Sequence, residues 1–326
     1  MDAKSLLDDA LEVTVVASFS RVGYAVRRRL FDWTDPAPDA LAGRTVVVTG
    51  PTSGIGRTAA EELAALGARV VLVGRSEERL AGVRDALAAR HAEDRFPIVV
   101  ADMGSLESVR AAADRILATE SRLDVVIDNA GAIFPERSEG PDGIEATLAT
   151  LVVGPFVLVS GLLPLLRRTD GAQVIAVTSG GMYAQPLDLD DLESAAGTFS
   201  GTRAYARAKR AQVALVREWA RRLAPAGVRF NAMHPGWVDT PGLAEALPGF
   251  YDLMRPVLRT PAEGIDTLVW LAASSEAANR SGLLFLDRRP RPFDRVPATR
   301  LSPADRRHLW DRVVTLSGAA DPLPDA

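Results

Sequence analysis

The feature that most constrains this chain is a recurring pair, in which a short apolar run is followed by a segment with helical spacing. TVVVTG (45–50), RVVLVG (69–74), FPIVVAD (96–102), LDVVIDNAG (123–131), AQVIAVTS (172–179) and VRFNAMHPG (228–236) read as strands, and SGLLFLD (281–287) closes the series. They are rich in β-branched residues and do not alternate apolar with polar, which marks strands covered on both faces. Segments between them, such as GRTAAEELAALGA and SLESVRAAADRILATE, keep apolar residues on one helical stripe and charges outside it. Repeated β-α units build a parallel sheet with helices on both faces, because the crossovers share one hand. The expected fold is α/β: a single doubly wound Rossmann-type parallel sheet over 44–290. A helical extension and proline-containing linker (1–43) precede it, and a tail (291–326) with one helix near 303–316 and a frayed DPLPDA end follows it.

Composition removes several classes of function. The chain has 326 residues, 47% of them hydrophobic, which is enough for a self-contained core. A net charge of −4 gives no electrostatic footprint for nucleic acid. Cysteine is absent, which excludes disulfides and thiolate chemistry, and His91, His234 and His308 are scattered, so no metal site is expected. The longest apolar stretch, 148–166, contains Pro155 and Pro164 and reads as a buried kinked helix instead of a membrane span. The start of the chain lacks the basic flank and apolar run of a signal peptide, so a cytoplasmic protein is expected. The richness in arginine and alanine points to a GC-rich bacterial genome.

Residues 15–33 mix Phe19, Tyr24, Val26, Leu30 and Phe31 with Arg21, Arg27, Arg28 and Arg29. That pattern fits a basic amphipathic helix in peripheral contact with a membrane surface. It also fits a helix packed on its own domain or on a second subunit, and this second reading carries more weight.

Four motifs carry the chemistry. The first strand runs into Gly50-Pro51-Thr52-Ser53-Gly54-Ile55-Gly56 and then a helix, so backbone N–H groups and the positive end of the helix dipole face a pyrophosphate. The spacing is neither that of the commoner dinucleotide fingerprint nor that of a P-loop. The second strand ends at Gly74-Arg75, where NAD binding would ask for an acid. A guanidinium there suits a 2′-phosphate, so NADP(H) is expected ahead of NAD(H). Asp102 ends the third strand on the adenine side, and Asn129-Ala130-Gly131 ends the fourth, where small residues admit a flat ligand.

Tyr205 and Lys209 are the central constellation, since i and i+4 share one helix face. Only Lys4 and Lys209 among 38 basic residues are lysine, and a compact ammonium is not interchangeable with guanidinium. An ammonium beside a phenol favours the phenolate, which fits Tyr205 for proton exchange with an alkoxide or alcohol. Ser179, ending the fifth strand, can donate to the substrate oxygen as hydride arrives. The turn at Pro235, Gly236, Val238 and Thr240 can grip a nicotinamide carboxamide, while His234 reads as a packing residue. Met182, Tyr183, Trp237, Leu243, Leu247, Phe250 and Tyr251 lie in segments that follow the strand ends, which points to an apolar carbonyl or alcohol substrate; core or subunit packing is the alternative.

TGPTSGIG, DNAG, the strand-ending serine, YARAK and PGWVDT stand in an order and spacing that resemble the short-chain dehydrogenase/reductase family, over about residues 43–290. The resemblance implies an NADP(H)-type oxidoreductase with Ser179, Tyr205 and Lys209 as catalytic residues. It also implies that Lys209 holds the nicotinamide ribose, that Gly50, Gly54, Ile55 and Gly56 form the pyrophosphate loop, and that the chain is a homo-oligomer. One position departs from the pattern. Where the family usually carries an asparagine whose water links the lysine to solvent, this chain has Leu151. The alternative function is therefore a non-catalytic NADP(H)-binding protein. A sugar-nucleotide epimerase fits less well, because its glycine spacing differs.

Overall fold

The computed structural model describes residues 3–323; the terminal residues 324–326, part of the end read as frayed, lie outside the described residues. Eight strands form one sheet: β1 (Thr45–Thr49), β2 (Arg69–Gly74), β3 (Ile98–Val100), β4 (Val125–Asp128), β5 (Gln173–Val177), β6 (Arg229–Met233), β7 (Leu284–Leu286) and β8 (Arg289–Arg291). Their order is β3-β2-β1-β4-β5-β6-β7-β8, with β1 to β7 parallel and β8 antiparallel to β7.

Successive side chains of a strand point to opposite faces, and here both faces are dry. Val47, Val71, Val126 and Val174 enter one core with the helices Leu106–Thr119, Gly154–Arg167 and Gly201–Leu223. Val46, Val70, Val125 and Ile175 enter the other with Gly54–Ala65, Glu77–Ala88 and Pro261–Ala273. This two-sided burial is the physical reason the strands read as unbroken apolar runs. Strand order reverses between β1 and β4, so a crevice opens outside their carboxyl ends.

The apolar run 148–166 folds as a helical stretch broken by a π-helical turn, Ala149–Val153. Among the described residues, Ala146–Arg167 is the one helix long and apolar enough to cross a membrane, and 78% of its most apolar window is buried within the protein. The tail helix Pro303–Ser317 inserts Trp310 against Phe156 and Trp219, with ring centroids 4.9 and 4.7 Å away.

Three helices, Ala3–Val13, Val15–Phe19 and Arg21–Leu30, precede the sheet. Phe19, Tyr24 and Arg27 are buried against the rest of the chain, so packing on its own domain holds for this face of the segment. Val13, Val15, Val16, Val22 and Val26 remain exposed on the other face. Arg27 reaches Asp287, in the turn between β7 and β8, at 2.7 Å. That turn is made by Asp287 and Arg288, both with positive φ (54° and 56°).

Candidate active site

The site lies at the carboxyl ends of β1, β4, β5 and β6. After β1 the chain turns through Gly50, with φ +68°, into the helix beginning at Gly54. A Cβ on Gly56 would collide with the Gly50 carbonyl, so the helix lies closer to the strand than any side chain permits. Ser53 caps this helix without a side-chain hydrogen bond, so the first amides, including those of Ile55 and Gly56, are left for a ligand. Asn129 fastens the cradle: its Nδ2 donates to the carbonyls of Thr49 (2.9 Å) and Gly50 (3.3 Å). The Thr49 hydroxyl in turn accepts from the amides of Asn129 and Ala130, each at 2.9 Å. Asn129 and Ala130 thus brace the cradle from behind.

At the far end, Gly74 terminates β2 and Arg75 is exposed. Asp102 is exposed as well; its Oδ1 accepts from the Gly104 amide at 2.9 Å and shapes the loop there. Thr240 lies over the glycine turn, with its methyl 3.3 Å from where a Cβ on Gly54 would stand. Its hydroxyl also caps the helix Pro241–Ala246 by accepting from the Leu243 amide at 3.2 Å. Val238 is buried against Gly264 and bridges to Arg259, which secures the turn that begins at Pro235 and Gly236. A cradle of free amides, a strand end without an acid and an exposed guanidinium beside it fit a phosphorylated dinucleotide.

Ser179, Tyr205 and Lys209 come together. Burial pushes the Tyr205 phenol up to about 12, against a lowering effect of the neighbouring Ser179 hydroxyl. The Lys209 Nζ donates to the Val177 carbonyl (2.7 Å) and to Gln212 Oε1 (3.3 Å), and it stands 5.9 Å from the centre of the Tyr205 ring. Burial brings Lys209 down to about 8, while the charge of Asp128 pulls it up.

Asp128 and Gln212 are the residues that motif reading missed. Gln212 Nε2 donates to Asp128 Oδ2 at 2.6 Å, so the glutamine bridges the buried carboxylate to the lysine. Asp128 Oδ1 has no hydrogen-bond partner among the described residues. Burial pushes this carboxyl up to about 6, opposed by the Lys209 charge and the Gln212 bond. A signal existed, since Gln212 is three residues beyond Lys209 on one helix face. Leu151 is fully buried in the π-helical turn; its Cδ2 would lie 2.7 Å from a Cβ on Gly131, and Lys209 Nζ 4.0 Å from the same point. Leucine and lysine therefore flank Gly131, and the polar partner of the lysine enters from its own helix.

His234 packs, as its sequence context indicates. It is buried edge-on to Phe19 (4.6 Å between centroids), and burial followed by the charges of Arg259, Arg295, Arg291 and Arg27 holds it well below the ordinary histidine value. The expected pocket wall divides. Met182 and Tyr183 are core residues, whereas Leu243, Leu247, Phe250 and Tyr251 stay partly exposed beside Trp237, which meets Phe250 edge-on at 5.1 Å.

With this geometry in place, a family model described as enoyl-(acyl carrier protein) reductase matches residues 50–261. A bovine protein, dehydrogenase/reductase SDR family member 12, is 39% identical over 84% of this chain and 88% of its own length. The chain is a short-chain dehydrogenase/reductase.

Other members of the family are similar over comparable lengths. Mouse retinol dehydrogenase 14 is 32% identical over 84% of this chain and 86% of its own, and mouse polyprenol dehydrogenase 33% over 90% of each. A short-chain dehydrogenase structure from Escherichia coli CFT073, complexed with NADPH, superposes with a TM-score of 0.64 at 27% identity, covering 78% of this chain and all of that one. The relatives correct one expectation. Retinol and polyprenol partition into membranes, so family members named for them do not support a purely cytoplasmic protein.

Proposed function

We propose that this short-chain dehydrogenase/reductase is NADP(H)-dependent and interconverts a carbonyl with a secondary alcohol. The observation that carries the reading is the convergence of Tyr205 and Lys209, with the lysine Nζ 5.9 Å from the centre of the Tyr205 ring, on Ser179 after the end of β5. When bound, the nicotinamide supplies or accepts the hydride. The Ser179 hydroxyl donates to the substrate oxygen and stabilises the charge that develops there. The Tyr205 phenol delivers its proton to that oxygen, or takes it back in the oxidative direction. Lys209 keeps positive charge beside the phenol, and it donates to the nicotinamide ribose. Asp128, acting through Gln212, keeps that charge on a lysine that burial would otherwise neutralise. This internal counter-ion supports the catalytic reading over a nucleotide-binding role without turnover, despite Leu151.

Gly50, Ser53, Gly54, Ile55 and Gly56 hold the pyrophosphate, Arg75 the 2′-phosphate and Asp102 the adenine side. Asn129, Ala130 and Gly131 line the floor, and Pro235, Gly236, Val238 and Thr240 hold the carboxamide end. Trp237, Phe250 and Leu247 favour an apolar substrate, in keeping with relatives named for retinol and polyprenol. Titration with NADPH and NADH, followed by a panel of apolar and sugar-like carbonyls, tests the reading. NADPH should bind the tighter and be oxidised by apolar ketones or aldehydes. Tyr205→Phe should lose about 10²- to 10⁴-fold in turnover and keep its NADPH affinity. Equal turnover in that variant would remove the assignment.

A further inference from the structure

We infer that the N-terminal segment completes the active site, with Phe19 as a positioning residue that fixes the loop after Ser179 and the Pro235/Gly236 turn together. The segment lies outside every motif by which the family is read, yet two glycines of the catalytic loops are shaped to it. A Cβ on Gly180 would stand 2.5 Å from Phe19 Cε2. A Cβ on Gly236 would stand 2.5 Å from the Phe19 carbonyl oxygen and 2.6 Å from Arg259 Nε. Neither position admits a side chain while Phe19 is docked. The Phe19 carbonyl also accepts from the Trp237 amide at 2.8 Å, and its ring meets Trp237 edge-on at 5.8 Å.

A buried ionic knot holds Phe19 there. Arg27 donates to Asp8 (2.6 Å), Glu12 (2.7 Å), Asp287 (2.7 Å) and the Ser18 carbonyl (3.1 Å). Arg259 donates to the other oxygen of Asp287 (2.6 Å) and to the carbonyls of Ser18 (2.9 Å), Ser20 (3.2 Å) and Pro235 (3.2 Å). The residues on both sides of Phe19 are thus tied to the same guanidinium as the turn proposed to grip the carboxamide. Ser179 is covalently next to Gly180, so a shift of Phe19 passes directly to the hydroxyl that meets the substrate. A misplacement of about 1 Å at such a group costs about 10²-fold in rate.

What the positioned groups do rests on the proposed redox function; the clamp on the cofactor turn does not need turnover to be measured. Phe19→Ala is prepared in the full chain beside Leu309→Ala, a core truncation in the C-terminal helix, and both are assayed well below their melting temperatures. The expected result is an NADPH Kd raised at least about fivefold and kcat lowered about 10- to 100-fold in Phe19→Ala, with both within about twofold of the parent in Leu309→Ala. Kinetics and NADPH affinity in Phe19→Ala no different from those of Leu309→Ala would overturn the inference. Should Phe19→Ala fail to fold, Phe19→Leu decides: it fills the space without a ring over Gly180, and a Kd and kcat equal to the parent's would sink the idea. If the parent turns over no carbonyl, the proposed reaction fails while the NADPH affinities still decide the clamp.

Discussion

The N-terminal ionic knot and the charge pair beneath the catalytic candidates are both buried, and they are built on opposite principles. In the N-terminal knot, Asp287 accepts from Arg259 on both oxygens and from Arg27, and Asp8 accepts from Arg27 and twice from Arg291. Beneath the catalytic candidates, Asp128 has one oxygen bonded to Gln212 and the other bonded to nothing among the described residues. Burial works on both carboxyls in the same direction. In Asp8 it is overcome by the bonds and charges of Arg291 and Arg27, which hold the carboxyl below its usual range, whereas Asp128 is pushed up to about 6. Carboxylates bonded on both oxygens fix geometry; one with a bare oxygen leaves a charge able to respond to its neighbours.

The largest effect should come from breaking the N-terminal knot. Arg27→Met leaves Asp8, Glu12 and Asp287 short of partners in a dry site, and loss of one member of a buried ionic cluster costs about 3–5 kcal/mol. Denaturant unfolding of the variant should show this loss, and a change under about 1 kcal/mol would mean that the knot is dispensable. A smaller effect of a different kind belongs to Asp128→Asn. Lys209 is lowered to about 8 by burial, with Asp128 holding it up, so removing the carboxylate lowers it further and the ammonium is lost at a lower pH. The basic limb of kcat against pH should move to lower pH, with about a tenfold loss at pH 8 and less than about threefold at pH 6. An unmoved limb would show that Asp128 is not the counter-ion. Gln212→Leu should be the mildest, moving the limb the same way by less than Asp128→Asn, because the charge remains and only its bridge is gone. A larger displacement than that of Asp128→Asn would reverse the order of the two roles.

Much of this was legible in the residues. Strands buried on both faces announce themselves as unbroken β-branched runs, and the buried Lys209 stands out in a chain whose basic residues are nearly all arginine. Other parts left no local trace. The hairpin between β7 and β8 has Asp287-Arg288 where a tight turn would ordinarily carry Asn-Gly, and its positive φ angles are held by ion pairs instead of by turn chemistry. Docking of residues 3–30 depends on partners hundreds of positions away, which no periodicity within the segment encodes. Asp128 reads as part of a strand-ending turn; only the three-dimensional approach of Gln212 gives it a role. Leu151 stands where the family pattern has an asparagine, yet its place in the fold is an apolar wall beside Gly131.

The bond between Arg27 and Asp287 spans 260 positions of sequence, and this sets an order of events during synthesis. At about 5–20 residues per second, the N-terminal helices leave the ribosome roughly 13–50 s before their anchor exists. Early in that interval Phe19 has no Gly180 or Gly236 to rest on, and until its end Arg27 has no Asp287 beside it. These early helices therefore cannot complete their knot until the β7–β8 hairpin, which carries Asp287, has been made.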